Sequence, residues 1–366
     1  MLRLITCMFL PFAIITAISC STPNIENNND TVEKEVIIMD NSSLNGNFTF
    51  LTFTNDKPAC WAGYGDVIFD GNGNGAYSII SSTTHIKDSS FTYSVNKDGR
   101  AKFTFDGSDN LGMLGLKKDI FTIIDTDNSD KQIKITVGIK KSSEIYNSDI
   151  LGDYIYVSYY NHYKPTNWCS YGTMTFDGKG GGTFQDSATS EFDLRNGNIS
   201  YNVETNGVFS YRLKSINYGY TKEKREGIVC KDKNVIITVN TSIADILIGF
   251  EITIKTSSEM NNSSLQGEYI IASYSNLNSK PLTTYGKMIF DGKGNATYSD
   301  IKNSNNTLQA NKFTYSVESD GKFTMETLSK EIIRGIISKD TNIMTFVDTD
   351  ISDKHISLNI GLKSNL

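Results

Sequence analysis

Side chains that commonly carry catalysis or bind metals are scarce in this chain. Its 366 residues include three histidines and five cysteines, and none of them stands in CxxC or HxxxH spacing. Those spacings bring ligands or nucleophiles together, so their absence leaves no candidate zinc site or catalytic thiol. No Ser-His-Asp order, pair of glycosidase-like carboxylates or phosphate-binding glycine loop can be assigned. The sequence therefore predicts a protein that is not an enzyme, with no catalytic residue, no metal and no cofactor.

Two kinds of aspartate-rich segment superficially resemble calcium loops. The segment Asp70-Gly71-Asn72-Gly73-Asn74 has two related copies later in the chain, and the segment 125–130 has one counterpart at 348–353. Hard cations need about six to eight oxygen ligands, and an EF-hand loop also needs a terminal Glu between two helices. Neither segment has that context. Gly and Asn favour tight hairpins, so we interpret both kinds of segment as turns.

Aromatic residues are the strongest candidates for binding. Trp61 and Trp168, the only two tryptophans, occupy matching places in two similar segments, and Tyr64 and Tyr171 follow them at the same interval. A third similar segment has Tyr285 and no tryptophan. Aromatic side chains in loops either fold over a domain or act as exposed anchors of binding hot spots. We predict that these five residues belong to a binding rim and that the tryptophans are partly buried.

These segments match because most of the chain is one domain repeated three times. Gly46, Gly152 and Gly267 open similar segments about 110 residues apart, and the pattern Phe-Asp-Gly-x-Gly recurs at 69–73, 176–180 and 290–294. Units of this length are whole domains, because solenoid repeats have only about 20 to 50 residues. The expected domains span 41–144, 148–259 and 263–366, with short polar joints between them. Each copy is long enough for a core of its own.

Within each copy the hydrophobic pattern has a period of two. Ile135, Val137 and Ile139 alternate with smaller or polar residues, and similar runs bounded by Gly, Asp, Asn or Ser give about eight strands per copy. The pattern predicts an all-β protein of three tandem antiparallel up-and-down β-barrels, with β-sandwiches as the alternative. The residues expected to point into the first barrel are bulky, which predicts filled interiors: Phe48, Val67, Phe69, Phe91, Tyr93, Phe103 and Ile135.

The first strand of each copy carries a family resemblance. Gly46-Asn47-Phe48, Gly152-Asp153-Tyr154 and Gly267-Glu268-Tyr269 resemble the Gly-x-Trp motif that opens the lipocalin barrel, with Phe or Tyr in place of Trp. The chain also resembles the lipocalin-like repeats of bacterial surface lipoproteins, which share the Leu-x-Gly-x-Tyr and Phe-Asp-Gly-x-Gly segments. This resemblance implies calycin-type barrels in a bacterial lipoprotein.

The N-terminus resembles a lipoprotein export signal. Arg3 precedes an apolar run, 4–18, which is shorter than the roughly 20 residues of a membrane-spanning helix. The ending Ala17-Ile18-Ser19-Cys20 resembles the lipobox of bacterial lipoproteins, which implies a signal peptide at 1–19 and a lipid on Cys20 that anchors the protein to a membrane. Residues 20–40 are polar and Asn-rich, as expected of a flexible tether. The alternative is an ordinary secretory signal cleaved near Ser19.

Charge and loop lengths complete the functional expectation. The net charge of −6 is spread along the chain without blocks of one sign, which disfavours nucleic-acid partners. The turns at one end of each barrel are short and alike, whereas the loops at the other rim are longer and differ between copies, as binding loops do. We expect a surface-exposed lipoprotein of the outer membrane or cell surface that binds a protein or glycan through these rims. The alternatives are a carrier of small hydrophobic ligands inside the barrels, which a cavity of several hundred cubic ångströms would favour, and a structural spacer of the envelope.

Overall fold

A computed structural model gives the fold of the repeated region. It describes residues 37–55, 60–84, 87–127, 134–162, 167–190, 193–215, 219–220, 224–240, 247–277, 280–349 and 355–365. The predicted signal peptide, Cys20 and most of the tether lie outside these residues. Residues from Ile37 to Leu366 belong to one compact unit. No helix among the described residues is long and apolar enough to cross a membrane.

The described chain forms three closed antiparallel β-barrels, which confirms the predicted fold class. Barrel 1 comprises β1 (Asn45–Asn55), β2 (Cys60–Asp70), β3 (Asn74–Ser82), β4 (Ser89–Val95), β5 (Arg100–Phe105), β6 (Ser108–Leu114), β7 (Ile120–Ile124) and β8 (Lys134–Lys140). Barrel 2 comprises β9 (Leu151–His162), β10 (Asn167–Asp177), β11 (Gly181–Thr189), β12 (Asn196–Val203), β13 (Val208–Ser215), β14 (Gly219–Tyr220), β15 (Arg225–Val229), β16 (Val235–Asn240) and β17 (Leu247–Lys255). Barrel 3 comprises β18 (Gln266–Leu277), β19 (Lys280–Asp291), β20 (Asn295–Asn303), β21 (Ala310–Val317), β22 (Lys322–Thr327), β23 (Ile332–Ile337), β24 (Ile343–Asp348) and β25 (His355–Lys363). Short 3-10 helices precede the barrels at Asn41–Ser43, Asn147–Asp149 and Asn262–Ser264.

The Asp-Gly-x-Gly segments are hairpin turns, as their sequence indicates. The carboxylate of Asp70 accepts hydrogen bonds from the backbone N–H groups of Asn72 (2.7 Å) and Asn74 (2.9 Å). Gly73 adopts a φ of 106°, which side chains with a Cβ rarely adopt. The aspartate oxygens are therefore used within the turn. The other aspartate-rich segments, 125–130 and 348–353, lie partly outside the described residues.

The tight-turn end of each barrel is closed by an aromatic base. In barrel 1 the Tyr93 hydroxyl donates to the carbonyl of Leu44 (2.7 Å), and Phe69 packs edge-on against Phe48 with ring centroids 5.4 Å apart. The last strand adds a lysine over the aromatic residue of the Gly-x-Phe/Tyr motif, with the Lys140 Nζ 5.7 Å from the Phe48 ring centroid. Lys255 over Tyr154 and Lys363 over Tyr269 repeat this contact in barrels 2 and 3. The sequence alone did not indicate these lysines.

The apolar face of each last strand points out of its barrel, opposite to the prediction. Ile135, Val137 and Ile139 are fully buried in a core shared by all three barrels, whereas Lys134 and Thr136 line the interior of barrel 1. Ile135 is therefore wrongly placed among the interior residues, although Phe48, Val67, Phe69, Phe91, Tyr93 and Phe103 do form the core of barrel 1. Alternating apolar residues show that one face of a strand is buried, but not whether the barrel interior or a neighbouring barrel buries it.

The three barrels pack around a common core. Phe53, Tyr159 and Tyr274, which follow the motif glycines at the same interval, meet edge to face with ring centroids 5.0 to 5.6 Å apart. The first two strands of each barrel pack against the last strands of the next one, and barrel 3 packs in the same way against barrel 1. Each barrel also encloses a core of its own, and a single copy would expose its part of the shared core to solvent.

The contacts between barrels show that the barrels point the same way. At the tight-turn end the Lys117 Nζ lies 2.7 Å from the Asp232 carboxylate and 2.6 Å from that of Asp340, which joins all three copies. Towards the rim the Thr283 hydroxyl donates to the carbonyl of Asp125 (2.6 Å). The three rims therefore lie on one side of the unit. The first and last described residues lie on the other, where the Asn365 side chain donates to the carbonyl of Ile37.

Candidate functional site

The structure distributes the five predicted rim aromatics over three environments. They lie on strands rather than in loops, and only Trp61, which is half-buried, borders an open barrel mouth. Tyr64, Tyr171 and Tyr285 are buried in the core between the barrels. Trp168 is 5% exposed inside barrel 2. Trp61 is therefore partly buried, as expected for both tryptophans, whereas Trp168 is more deeply buried than expected.

Tyr64, Tyr171 and Tyr285 form contacts between neighbouring barrels. The Tyr285 hydroxyl donates to the carbonyl of Gly112 in barrel 1 (2.9 Å), and that of Tyr171 lies 3.4 Å from the carbonyl of Gly335 in barrel 3. Burial raises the pKa of Tyr64 to about 12, with a smaller contribution from Glu226 of barrel 2. These side chains are committed to neighbouring barrels, so a ligand that approaches the rims does not reach them.

Barrel 1 holds a cavity of about 250 Å³ that opens at the rim. Its floor is the aromatic base, and Thr52 and Thr136 face it from the first and last strands, with their hydroxyls 2.8 Å apart. The charged residues at the mouth are Asp106 and Lys134. Ten apolar or aromatic side chains form most of the wall: Phe50, Trp61, Val67, Phe69, Tyr77, Ile79, Phe91, Phe105, Phe121 and Ile123.

Lys134 is held at one edge of this mouth. Its Nζ lies 5.1 Å from the centroid of the Phe105 ring and 3.8 Å from a carboxylate oxygen of Asp125. The charge therefore remains at the rim while the methylene groups line the cavity. The interior offers an incoming molecule mainly aromatic and aliphatic contacts.

Barrel 2 fills the corresponding space with its own side chains. The Trp168 and Tyr160 rings stack with centroids 3.9 Å apart at an angle of 20°. The Arg195 guanidinium lies 4.5 Å from the Trp168 ring, and that of Arg225 lies 4.8 Å from the Tyr160 ring. This Arg–Trp–Tyr–Arg stack, here called the ladder, combines apolar burial with cation–π attraction.

Both arginines of the ladder are paired with buried carboxylates. The Arg195 Nε lies 2.8 Å from Asp186, which also accepts from the Tyr156 hydroxyl. An Arg225 guanidinium nitrogen lies 2.7 Å from Glu251, which is only 2% exposed. Buried charges need such partners, because an unpaired ion in the interior costs several kcal/mol. The prediction of filled interiors therefore describes barrel 2 but not barrel 1.

Barrel 3 holds a second cavity, of about 310 Å³, that is far more polar. Leu282, Met288, Phe313, Ile333 and Phe346 form its apolar part, together with the ring of Tyr298. Twelve polar residues line the remainder: Ser273, Ser275, Thr284, Asp300, Asn303, Gln309, Asn311, Thr327, Glu331, Asp348, Ser357 and Asn359. Barrels 1 and 3 thus share a fold and offer different chemistry.

Strand register explains how one scaffold yields these different interiors. Tyr160 of the ladder stands eight residues after the motif glycine, where barrel 1 has Thr54 and barrel 3 has Ser275. Glu251 pairs across the barrel wall with Thr238, and the equivalent pair in barrel 3 joins Asn359 to Phe346. Smaller residues at inward positions leave space, and larger ones fill it. The glutamate between Phe250 and Ile252 was the signal in the sequence that could have revealed the filled barrel.

The described part of the chain offers few groups for metal binding or thiol chemistry. No three His, Cys, Asp or Glu side chains come close enough there to hold a metal ion. The Cys230 thiol donates to Asp232 (2.8 Å) at the tight-turn end, and burial raises its pKa well above the usual value. The Cys169 thiol lies 2.9 Å from the carbonyl of Asp348 between barrels 2 and 3.

Comparisons with known proteins add little to this geometry. No protein-family model and no curated protein matches the sequence. Solved structures with some similarity include a mutant of transferrin binding protein B from Haemophilus parasuis, at 10% identity and a TM-score of 0.28 over 87% of this chain and 76% of that one. The same protein from Neisseria meningitidis gives 12% identity and a TM-score of 0.23 over 88% and 77%. A DUF3598 protein of unknown function from Nostoc punctiforme gives 11% identity and a TM-score of 0.23 over 62% and 100%. Scores this low carry no argument about function.

Proposed function

We propose that this protein is a binding protein of the bacterial cell envelope that holds a small apolar molecule in the mouth of barrel 1. The observation that carries the proposal is the cavity of about 250 Å³ with its ten apolar or aromatic wall residues. Ligand sites in proteins are typically concave and mostly apolar, with a few polar groups that orient the ligand. From the sequence alone, a ligand carrier is the second expectation after adhesion, and the cavity of barrel 1 now favours the carrier.

The chemistry of the wall defines the ligand class. Phe91 and Phe105 lie with ring centroids 4.8 Å apart, and Tyr77 packs beside both, so one side of the cavity is a continuous aromatic surface. A flat aromatic or aliphatic molecule would bury its surface against these rings. The paired hydroxyls of Thr52 and Thr136 and the ammonium of Lys134 could accept one polar substituent.

The neutral fluorescent probe N-phenyl-1-naphthylamine tests this proposal in the full chain without its signal segment. We expect saturable binding that alters the fluorescence of Trp61, and a variant Thr136→Phe, which places a ring in the cavity, to weaken binding at least tenfold. The matched control is Asn359→Phe, because Asn359 occupies the equivalent position in barrel 3. Circular dichroism melting curves verify that both variants fold.

Two results would reject this function. One is the absence of saturable binding to the folded parent protein. The other is equal loss of binding in Thr136→Phe and Asn359→Phe, which would place the probe outside barrel 1. A Trp168→Phe background isolates the Trp61 signal, because the chain has no other tryptophan.

The envelope location rests on the lipobox-like segment that ends at Cys20. A lipid on Cys20 would anchor the chain, and the following polar residues would separate the barrels from the membrane. We expect Cys20→Ser to abolish labelling of the protein by a fatty-acid analogue in bacterial cells and to release it from the membrane fraction. Unchanged labelling would contradict lipidation, and Ser19→Thr serves as a control that keeps the cysteine.

Adhesion to a protein or glycan through the rims is the second candidate function. It is favoured by exposed apolar side chains in the rim loops, namely Leu194, Leu308 and Leu328, of which Leu328 is 89% exposed. Exposed apolar residues in loops that a rigid scaffold presents can serve as contact points in binding. Protease treatment of intact cells, followed by a cell-binding assay of the Leu308→Ser/Leu328→Ser variant, tests this function. Full protection from the protease would argue against surface display.

A further inference from the structure

The cavity of barrel 3 corresponds to the part of barrel 2 that is occupied by an arginine side chain. In barrel 2, Gly172 pairs with Asp186, and in barrel 3 the equivalent Gly286 pairs with Asp300, in both cases beside a register shift. The aspartate carboxylates also accept the same backbone hydrogen bond at 3.0 Å, from the N–H of Arg195 in barrel 2 and from that of Gln309 in barrel 3. Asp300 thus takes the place of Asp186, and Gln309 that of Arg195.

The guanidinium that neutralises the carboxylate in barrel 2 has no counterpart in barrel 3. Arg195 contacts Asp186 with its Nε (2.8 Å), whereas Gln309 is neutral. Asp300 accepts from the Asn303 side chain (2.8 Å) and the Gln309 N–H (3.0 Å), which are both uncharged donors. No ion pair of the described residues involves Asp300. Among the described residues, no cation lies beside this carboxylate.

The other members of the ladder are also replaced by smaller residues in barrel 3. Trp168 stands four residues before Gly172, and Leu282 stands four residues before Gly286. Tyr160 corresponds to Ser275, and the buried Arg225, which pairs with Asn240, corresponds to Ile333, which pairs with Asp348. The space that the ladder fills in barrel 2 is the cavity of about 310 Å³ in barrel 3.

Charge and aromatic surface together define what this cavity suits. Among the described residues, its lining includes Asp300, Glu331 and Asp348 and no Lys, Arg or His. Glu331 accepts only from neutral hydroxyls, those of Ser329 (2.9 Å) and Thr327 (3.4 Å), among the described residues. The rings of Tyr298, Phe313 and Phe346 line the same space and can face a cation. An organic cation would therefore meet both a charge partner and an aromatic surface.

We propose that barrel 3 binds a small organic cation, with its guanidinium or primary ammonium group at Asp300. The bound group would occupy the position that the Arg195 guanidinium occupies in barrel 2. Barrel 2 is then the version of the site that carries its cation on its own chain. Hydroxyl and amide groups such as those of Ser275 and Asn359 would hydrogen-bond polar parts of the ligand. This site is separate from the barrel 1 cavity and does not depend on the function proposed for it.

Calorimetry with n-butylguanidinium and its neutral isostere n-butylurea tests the proposal on the full chain without the signal segment. We expect the guanidinium compound to bind at least tenfold more tightly than the urea, and binding to weaken as salt concentration rises. Asp300→Asn should weaken guanidinium binding at least tenfold. The matched control is Asp106→Asn, which removes a carboxylate from the barrel 1 mouth and should leave guanidinium binding unchanged.

A second variant keeps the proposal falsifiable if Asp300→Asn fails to fold. Gln309→Arg restores the residue of barrel 2 and should block n-butylguanidinium binding while it raises the melting temperature. Equal affinity for the two probes would overturn the proposal, as would no detectable binding of the cation by the folded parent. Unimpaired binding in Gln309→Arg would also overturn it, because the added guanidinium would then not share the site.

Discussion

At the scale of single residues, the position of a charge decides whether a barrel is filled or open. Arg225 and Glu251 of barrel 2 are buried and paired at 2.7 Å, and the Tyr211 hydroxyl also donates to Glu251 (2.5 Å). Burying two ions costs solvation energy that their attraction and hydrogen bonds must offset. The pair therefore fixes the interior of barrel 2 and leaves little tolerance for the loss of one partner.

Arg225→Leu should destabilise the protein by about 3 to 5 kcal/mol, because it leaves Glu251 buried without its cation. Urea denaturation followed by circular dichroism measures the change. Lys102→Leu is the matched control, since Lys102 and Asp109 form a half-exposed pair whose loss should cost about 1 kcal/mol or less. The double variant Arg225→Leu/Glu251→Leu should recover much of the loss. Equal stability of Arg225→Leu and the parent would show that the ladder does not hold the barrel together.

At the scale of elements, the hairpin turns were well predicted and the burial of the strands was not. The Asp-Gly-x-Gly turn depends on local hydrogen bonds and positive φ angles, and the residue types Asp and Gly in this pattern indicate both. The direction of Ile135, Val137 and Ile139 depends on packing between barrels, and no local pattern reports such packing. The five predicted rim aromatics show the same contrast. The sequence gives their matching positions in the repeats, but the burial of Tyr64, Tyr171 and Tyr285 depends on neighbours that are distant in sequence.

The hydrogen bonds of the Asp-Gly-x-Gly turns predict how their aspartates titrate. Asp291 accepts from the Asn295 side chain (2.7 Å) and from the N–H groups of Asn295 (2.9 Å) and Lys293 (2.7 Å), which lowers its pKa to about 2. Asp177 has Gly181 in the place of this asparagine, so Asp291 should titrate at the lower pH. Because folding lowers the pKa, the turn contributes stability above the unfolded value of 3.8 and loses it as pH falls towards about 2.

Carboxyl-carbon NMR across the acid range measures both titrations. Asn295→Ala should raise the pKa of Asp291, because it removes a donor to the charged form. The pKa of Asp177 should remain unchanged in this variant and serves as the internal control. An Asp291 pKa at or above that of Asp177 in the parent protein would contradict the hydrogen-bond account.

At the scale of the whole molecule, the core between the barrels makes them one cooperative unit. Phe53, Tyr159 and Tyr274 pack together, and Lys117 bridges the other two copies. Burial opposes protonation of Lys117, yet its hydrogen bonds to Asp232 and Asp340 raise its pKa above the usual value. Lys117, Asp232 and Asp340 occupy equivalent positions in the three repeats and lie close together. One cation between two anions avoids the repulsion that three like charges would produce. The repeat was evident in the sequence, but this arrangement of the copies was not.

A substitution in this shared core should lower the stability of the full chain and the self-association of a single-barrel fragment. Ile252→Thr should destabilise the full chain by about 1 to 3 kcal/mol, because Ile252 is fully buried between barrels. In the isolated segment 148–259 the same position faces solvent, so the variant should reduce self-association. Calorimetry and sedimentation measure the two effects. Three separate thermal transitions in the full chain, or a monomeric parent fragment, would contradict the shared core.

The repeated contact between barrels also fixes the number of copies. Each barrel presents its first two strands to the last strands of the next, so the contact joins two different surfaces rather than one surface to itself. Such a head-to-tail contact either propagates into a filament or returns to its start, and here its rotation closes after three copies. A gene that lost one copy would encode a protein with two unsatisfied surfaces, prone to join other molecules end to end. A fourth copy would find no vacant place in the ring, which restricts how this gene can lengthen or shorten by whole repeats.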